Sequence, residues 1–359
     1  MNEGTMPVSC QNPLGLEGFA FVEFTAPDPD SQGRQLERLG FIETHRHPGQ
    51  SVSLYRQGDI HFILNAEPFS HASDFATRHG PSACGMGFRV SDAARAHRLA
   101  LQHGATPVEG VYTPFGDDLL ALEGVGGTLI YLLDDSQFSD DVLSGWVPLT
   151  QPPVRQVHGA GLTRIDHLTH DLPAGQMQVW ADFYTRVFGF ESQRYFEVDD
   201  RLMGVDSQTL IAPDGHIRIP LNESRNAFNA TEAFLSAYGG EGIQHIALET
   251  RDIYATVEGL RARGVAFQAV PDPYYEMLDR RVPHHNEDVA RMKTDGILID
   301  GNARRDGILL QVFTENTFGP VFFEIVQRKG GHGGFGGGNA QALMEAAGLD
   351  QMRKGLLRV

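Results

Sequence analysis

The chain predicts an α+β protein of two domains, each a curved mixed sheet with helices on its outside, and three observations carry that expectation. Four passages of the 359 residues repeat one order of strand, helix and strands. The passages form two pairs, parted by a segment carrying Pro148, Pro152 and Pro153, so the domains are expected at 1–150 and 151–359. Apolar residues alternate with period two along the predicted strands, which gives each sheet one face for a core.

The first passage has a strand at 18–24, a helix at 31–39, and strands at 51–56 and 60–64 around a Gln57-Gly58-Asp59 turn. The second has a strand at 85–90, a helix at 93–103 and a strand at 127–133. In the third, the strand at 164–170 is followed by an amphipathic helix at 179–188 that Gly189 ends, then a hairpin around Ala212-Pro213-Asp214-Gly215. The fourth opens with the strand at 242–250 and continues with a helix at 253–263 closed by Gly264. A long polar insert at 271–294 follows, then strands at 307–313 and 321–327. The glycine-rich run 330–338 lacks the lysine and threonine of a phosphate cradle and reads as a hinge before a closing helix at 340–347.

Composition excludes several classes of function. Lys and Arg number 29 against 46 Asp and Glu, and the net charge of -17 repels nucleic-acid backbones and anionic membranes. Cys10 and Cys84 are too few for a disulfide framework or a thiolate zinc site, which fits a reducing compartment. With no targeting segment and no spanning apolar run expected, the reading is a cytoplasmic protein without nucleic-acid or membrane partners.

A histidine inside a strand is either a core residue or a metal ligand, and company decides between them for His245. His167 lies on a similar strand upstream and Glu324 on one downstream. Two histidines and a carboxylate on separate strands form the ligand set of non-heme iron(II) oxygenases. Alternation puts Ile165, His167 and Thr169 on one face, with His170 on the other. By the same rule Leu309, Gln311 and Phe313 line the cup beside Phe322. Within the repeat, Glu23 is expected opposite His167, Gly85 opposite His245 and Tyr131 opposite Glu324, so the first domain reads as a metal-free relic. His284 and His285 read as surface histidines, and Asp199, Asp200, Asp288 and Asp295 as solvated turn residues.

The strings Ile165-Asp166-His167-Leu168-Thr169, Pro220-Leu221-Asn222-Glu223, Gly242-Ile243-Gln244-His245, Tyr274-Tyr275 and Phe322 to Arg328 together resemble the 4-hydroxyphenylpyruvate dioxygenases over nearly the whole chain. Asn12-Pro13-Leu14-Gly15, Tyr55-Arg56-Gln57-Gly58 and Gly334-Phe335-Gly336 extend the likeness. The resemblance implies vicinal-oxygen-chelate domains, each of two βαβββ-type modules in a half-open barrel. It implies Fe(II) on His167, His245 and Glu324, a 2-oxo acid substrate with O2, formation of homogentisate, and a homo-oligomer, dimer or tetramer. Carried over residue by residue, the substrate pocket falls on Ser207, Asn222, Gln244, Gln311, Phe313, Phe322 and Phe335. Gln244 fits that role only with a local twist or bulge, because strict alternation turns it from the face of His245. Two departures, Ala230 where the family pattern has glutamine and Ala340 where it has phenylalanine, widen the expected cup. A related oxygenase such as hydroxymandelate synthase, an enzyme for a bulkier arylpyruvate, and a non-catalytic binding protein of the same fold are the rival readings.

Overall fold

The computed structural model describes residues 12–108, 121–138, 146–149, 159–193, 204–227 and 229–354. The first half runs β1 (Leu16–Thr25), α1 (Pro29–Arg38), β2 (Ile42–Arg46), β3 (Val52–Gln57), β4 (Ile60–Asn65), α2 (His71–His79) and β5 (Ala83–Val90). It continues with α3 (Ala93–Gln102), β6 (Pro107–Val108), β7 (Ala121–Glu123), β8 (Leu129–Leu133) and β9 (Val147–Pro148). The second half runs β10 (Leu162–Leu172), α4 (Met177–Phe188), β11 (Glu191–Gln193), β12 (Val205–Ile211), β13 (Arg218–Ser224), α5 (Ala230–Tyr238), β14 (Gly242–Thr250) and α6 (Ile253–Ala262). Then come α7 (Asp272–Glu276), α8 (Leu278–Arg281), α9 (Val289–Asp295), β15 (Leu298–Asn302), β16 (Gly307–Phe313), β17 (Phe322–Lys329) and α10 (Gly337–Arg353).

Among the described residues the first sheet has the order β6-β7-β8-β5-β1-β4-β3-β2-β9 and the second, read from its far edge, β15-β16-β17-β14-β10-β13-β12-β11. The repeat is therefore real strand for strand, with β9 added to one edge. The expected domain boundary at 150 lies outside the described residues. Helix ends follow the sequence: Asp252 caps α6 by accepting from the Ala255 amide, and Gly189 ends α4 at a φ of 75°, where a side chain would be strained.

The two sheets share one core. Phe24 lies 4.8 Å from Phe318 and Phe62 lies 5.8 Å from Phe323, ring to ring across the halves. Their other faces differ. In the first half that face is packed solid by Phe21, Leu54, Ile63, Tyr131, Phe138 and Trp146 among others. In the second half the matching apolar cluster is only Ala247, Leu309 and Val326, and the remaining space stays open.

The register corrects one expectation. Phe21 pairs with Gly87 and Glu23 with Gly85, whereas His167 pairs with Ala247 and Thr169 with His245. Phe21, not Glu23, therefore stands where His167 stands. Gly85 and Tyr131 do match His245 and Glu324. The insert at 271–294 is not plain loop but holds α7, α8 and most of α9. His285 and Asp295, expected at the surface, are buried, His285 bonded to Asp279 at 3.1 Å. His284 is exposed and Asp288 caps α9, while Asp199 and Asp200 lie outside the described residues.

Candidate metal centre

β10, β14 and β17 are neighbours, and their register puts His167, Ala247 and Glu324 in one row, with His245 one step along the same face. Strands two apart are separated by ~9.6 Å, so His167 and Glu324 must lean across the central residue, and only a small one such as Ala247 permits it. Glu324 Oε2 lies 3.1 Å from His167 Nε2 and 3.4 Å from His245 Nε2. Two donors held ~2.1 Å from one ion at a right angle would lie ~3 Å apart, so the Glu324 oxygen is spaced from each imidazole nitrogen as two ligands of one ion are. All three side chains are buried, and their ligand atoms lie within 4.8 Å of one another.

Each ligand is held from behind. His167 Nδ1 meets Asp166 Oδ1 at 2.8 Å, His245 Nδ1 meets Gln244 Oε1 at 2.7 Å, and Gln311 Nε2 donates to Glu324 Oε1 at 2.9 Å. Such partners fix which ring nitrogen carries the proton and leave the other free as a ligand. Both residues preceding the histidines reach this face because the β10–β14 ladder slips by one residue at Asp166 and again at Gln244. The bulge that the sequence required for Gln244 is present. Asp166 is a functional residue that sequence reasoning misses, since alternation sends it to the far face. His170 is on that far face, bonded to Tyr184 at 2.9 Å and apart from the metal group.

The local charges are balanced. Burial works against the Glu324 carboxylate, but the His167 charge and hydrogen bonds from both imidazoles bring it down to about 2. Burial lowers His245, and it also opposes charge on His167, where Glu324 and Asp166 outweigh it. Asp166 is itself buried, yet the Arg328 guanidinium and His167 hold it well below the usual carboxylate range.

A cavity of about 590 Å³ opens on these atoms. Ser207, Asn222, Gln244, Gln311, Phe313, Phe322 and Phe335 all line it, as do Ala230, Phe234 and Ala340. Phe322 stacks on His245 with ring centres 5.0 Å apart, Phe313 stands edge-on to Phe322 at 6.0 Å, and Phe335 is edge-on to His167 at 5.1 Å. Gln311 Oε1 accepts from Asn339 Nδ2 at 2.8 Å, and Asn339 Oδ1 accepts from the Tyr274 hydroxyl at 2.6 Å. The helix α10 is thereby tied to a carboxylate of the metal group. Opposite, Ser207 Oγ donates to Asn222 Oδ1 at 2.8 Å, and Asn222 and Gln244 both donate to the buried carboxylate of Asp171.

Paired half-barrels of this topology, one presenting two histidines and a glutamate to a cavity, define the vicinal-oxygen-chelate class of metal-dependent enzymes. Residues 164–278 match the Glyoxalase/Bleomycin resistance protein/Dioxygenase superfamily, and residues 10–143 match the N-terminal domain of hydroxyphenylpyruvate dioxygenase. A 4-hydroxyphenylpyruvate dioxygenase of Legionella pneumophila is 47% identical over 97% of this chain and 98% of its own length. Hemolysin VllY of Vibrio vulnificus is also 47% identical, over 98% and 99%. A mutant of 4-hydroxymandelate synthase from Streptomyces coelicolor superposes with a TM-score of 0.75 at 25% identity, covering 94% of this chain and 99% of that one. The chain belongs to the 4-hydroxyphenylpyruvate dioxygenase family.

Proposed function

We propose that this protein is an iron(II)-dependent dioxygenase that converts 4-hydroxyphenylpyruvate and O2 to homogentisate and CO2 in tyrosine catabolism. The observation that carries the reading is the buried His167, His245 and Glu324 group facing a cavity that Phe313, Phe322 and Phe335 line beside the ligands, in a chain 47% identical to dioxygenases of that name. His167, His245 and Glu324 would hold the iron(II), which would supply the redox chemistry toward a 2-oxo acid and dioxygen.

The chain's own part is orientation and exclusion of water. Phe313, Phe322 and Phe335 surround the space beside the ligands and hold an aromatic ring by its faces and edge. Ser207, Asn222 and Gln244 stand on the cavity wall already bonded to one another or to Asp171 and His245, so they meet the substrate with the acceptor side of the hydroxyl and the second hydrogen of each amide NH2. Gln311 has both ends of its amide engaged, by Glu324 and Asn339, so it supports the carboxylate ligand while α10 is docked. The proposal includes a cytoplasmic location, consistent with the sparse cysteines, and a dimer or tetramer, which light scattering measures; no described helix is long and apolar enough to cross a membrane.

Protein supplied with iron(II), ascorbate and 4-hydroxyphenylpyruvate is expected to yield homogentisate and CO2 in equal amounts. A product of 4-hydroxymandelate would refute the reaction. His245→Ala is expected to abolish iron binding and oxygen uptake with the fold retained. Ala230 and Ala340 line the cavity with methyl groups only, which favours a second reading, a bulkier arylpyruvate, and a panel of such substrates compared by kcat/KM tests it.

A further inference from the structure

Asp171 takes no part in the chemistry above, yet it is fully buried and holds two residues of the cavity wall. Asn222 Nδ2 donates to its Oδ1 at 3.1 Å and Gln244 Nε2 donates to its Oδ2. An ionised carboxylate only accepts hydrogen bonds, so any amide that turns its NH2 toward it must turn its carbonyl away. For Gln244 that carbonyl meets His245 Nδ1 at 2.7 Å. A carbonyl also only accepts, so a proton of His245 is required on Nδ1, and Nε2, 3.4 Å from Glu324, is the nitrogen left to hold a metal ion. For Asn222 the carbonyl meets the Ser207 hydroxyl at 2.8 Å.

We infer that Asp171 is a positioning residue that sets the tautomer of His245 through Gln244, as Asp166 sets that of His167 by direct contact. The direction of every bond in the chain follows from one acceptor-only group at its end. The inference deepens the proposed metal site and rests on it. It also assigns the bulge at Gln244 a purpose: without the extra residue the amide would point from the histidine it has to face.

Substitution tests the polarity without changing the shape. In Asp171→Asn the new side chain keeps one acceptor and gains one donor, so either Gln244 or Asn222 must turn over. The double variant Asp171→Asn, Gln244→Glu restores the original sense. Its new amide accepts from Asn222 and donates to the new carboxylate, whose second oxygen faces His245.

Binding of Co(II) to chelator-treated protein, read from its visible absorption at pH 8, compares the three. Asp171→Asn is expected to bind about 10- to 100-fold more weakly than the unaltered protein. The double variant is expected to recover most of that loss. A loss in Asp171→Asn with no recovery in the double variant would overturn the inference, and so would full affinity in Asp171→Leu, which leaves the Gln244 amide without its acceptor. Failure of the unaltered protein to bind Co(II) would overturn the metal site itself. Nitrogen-15 NMR of histidine-labelled, metal-free protein tests the same relay without any variant: His245 is expected to carry a proton on Nδ1, and a bare Nδ1 refutes the relay.

Discussion

Replacing Arg328 with methionine keeps an unbranched stem and removes the guanidinium with its charge and donors. Arg328 is partly buried and gives the fully buried Asp166 two parallel hydrogen bonds, at 2.8 and 2.7 Å. It also donates to the carbonyls of His332 at 3.1 Å and Gly334 at 2.5 Å, and its guanidinium lies 5.2 Å from the centre of the Phe335 ring. Breaking a buried ion pair from one side costs about 3–5 kcal/mol, because the other charge is left behind without solvent. Asp166 would still have Arg218 at 3.0 Å and His167 at 2.8 Å, which puts the cost near the lower end, about 3 kcal/mol. At roughly 2–4 °C per kcal/mol for a domain of this size, the melting temperature should fall by about 6–12 °C. Arg328→Lys restores the charge without the planar fork and should lose less. Calorimetry or circular dichroism reads both. A methionine variant melting within about 2 °C of the unaltered protein would refute the reasoning, since a buried carboxylate stripped of its two-bonded guanidinium cannot be that cheap.

Three further outcomes follow from single contacts. Tyr131→Phe removes a 2.6 Å hydrogen bond to buried Glu23 and should cost about 1–3 kcal/mol of stability with kcat unchanged; a fall in kcat would give the first half a direct part in turnover. Asn339→Ala unties α10 from Gln311 and Tyr274, so amide exchange across 337–353 should rise roughly tenfold, and unchanged exchange would show that other contacts hold the helix. Burial pushes the Asp171 carboxyl up to about 7 against the hydrogen bonds that Asn222, Thr231 and Gln244 give it. A raised carboxyl stabilises the fold fully below its unfolded value of ~3.9, and this is lost as pH rises through its folded value. Asp171→Asn should therefore gain on the unaltered protein between about pH 4 and 7 and hold that gain above, whereas a difference independent of pH would refute the shift.

What the sequence made legible follows residue type and period. His167, His245 and Glu324 stood out because each interrupts an apolar strand and the repeat places those strands alike. Gln244 was legible only as a conflict, since its neighbour and its own expected role could not both obey alternation. Asp166 raised no such conflict, although a hydrogen-bonding residue before each histidine was a signal that could have been read. The misplacement of Glu23 has a different cause. A slip of one residue turns a strand inside out, but a slip of two keeps every side chain on its face, so pattern cannot detect it and ladder bonds can. Burial of His285 and Asp295 depends on what packs over a polar segment, which local composition does not encode.

The shared register also shows what turns a frame into a site. The β1–β5 ladder slips at Ala20 and Cys84, the positions of Asp166 and Gln244, and Asn65 stands where Asn222 stands. Even the amide-to-carboxylate bond persists, from Asn65 to Glu23 at 2.7 Å, with the carboxylate moved along the strand. The backbone of the first half could present three ligands as well as that of the second. Its side chains do not: Phe21, Gly85 and Tyr131 occupy the ligand positions, and a Cβ on Gly85 would lie 2.9 Å from the Tyr131 ring and 3.0 Å from Glu23. Alanine and cysteine at the bulges offer no carboxylate or amide oxygen to fix a histidine tautomer. Restoring two histidines and a glutamate alone would thus leave the ligands crowded by Glu23 and the packed apolar face and without the acceptors that orient them. The candidate metal centre is a property of six side chains, His167, His245 and Glu324 and the three groups behind them, set on a backbone that both halves share.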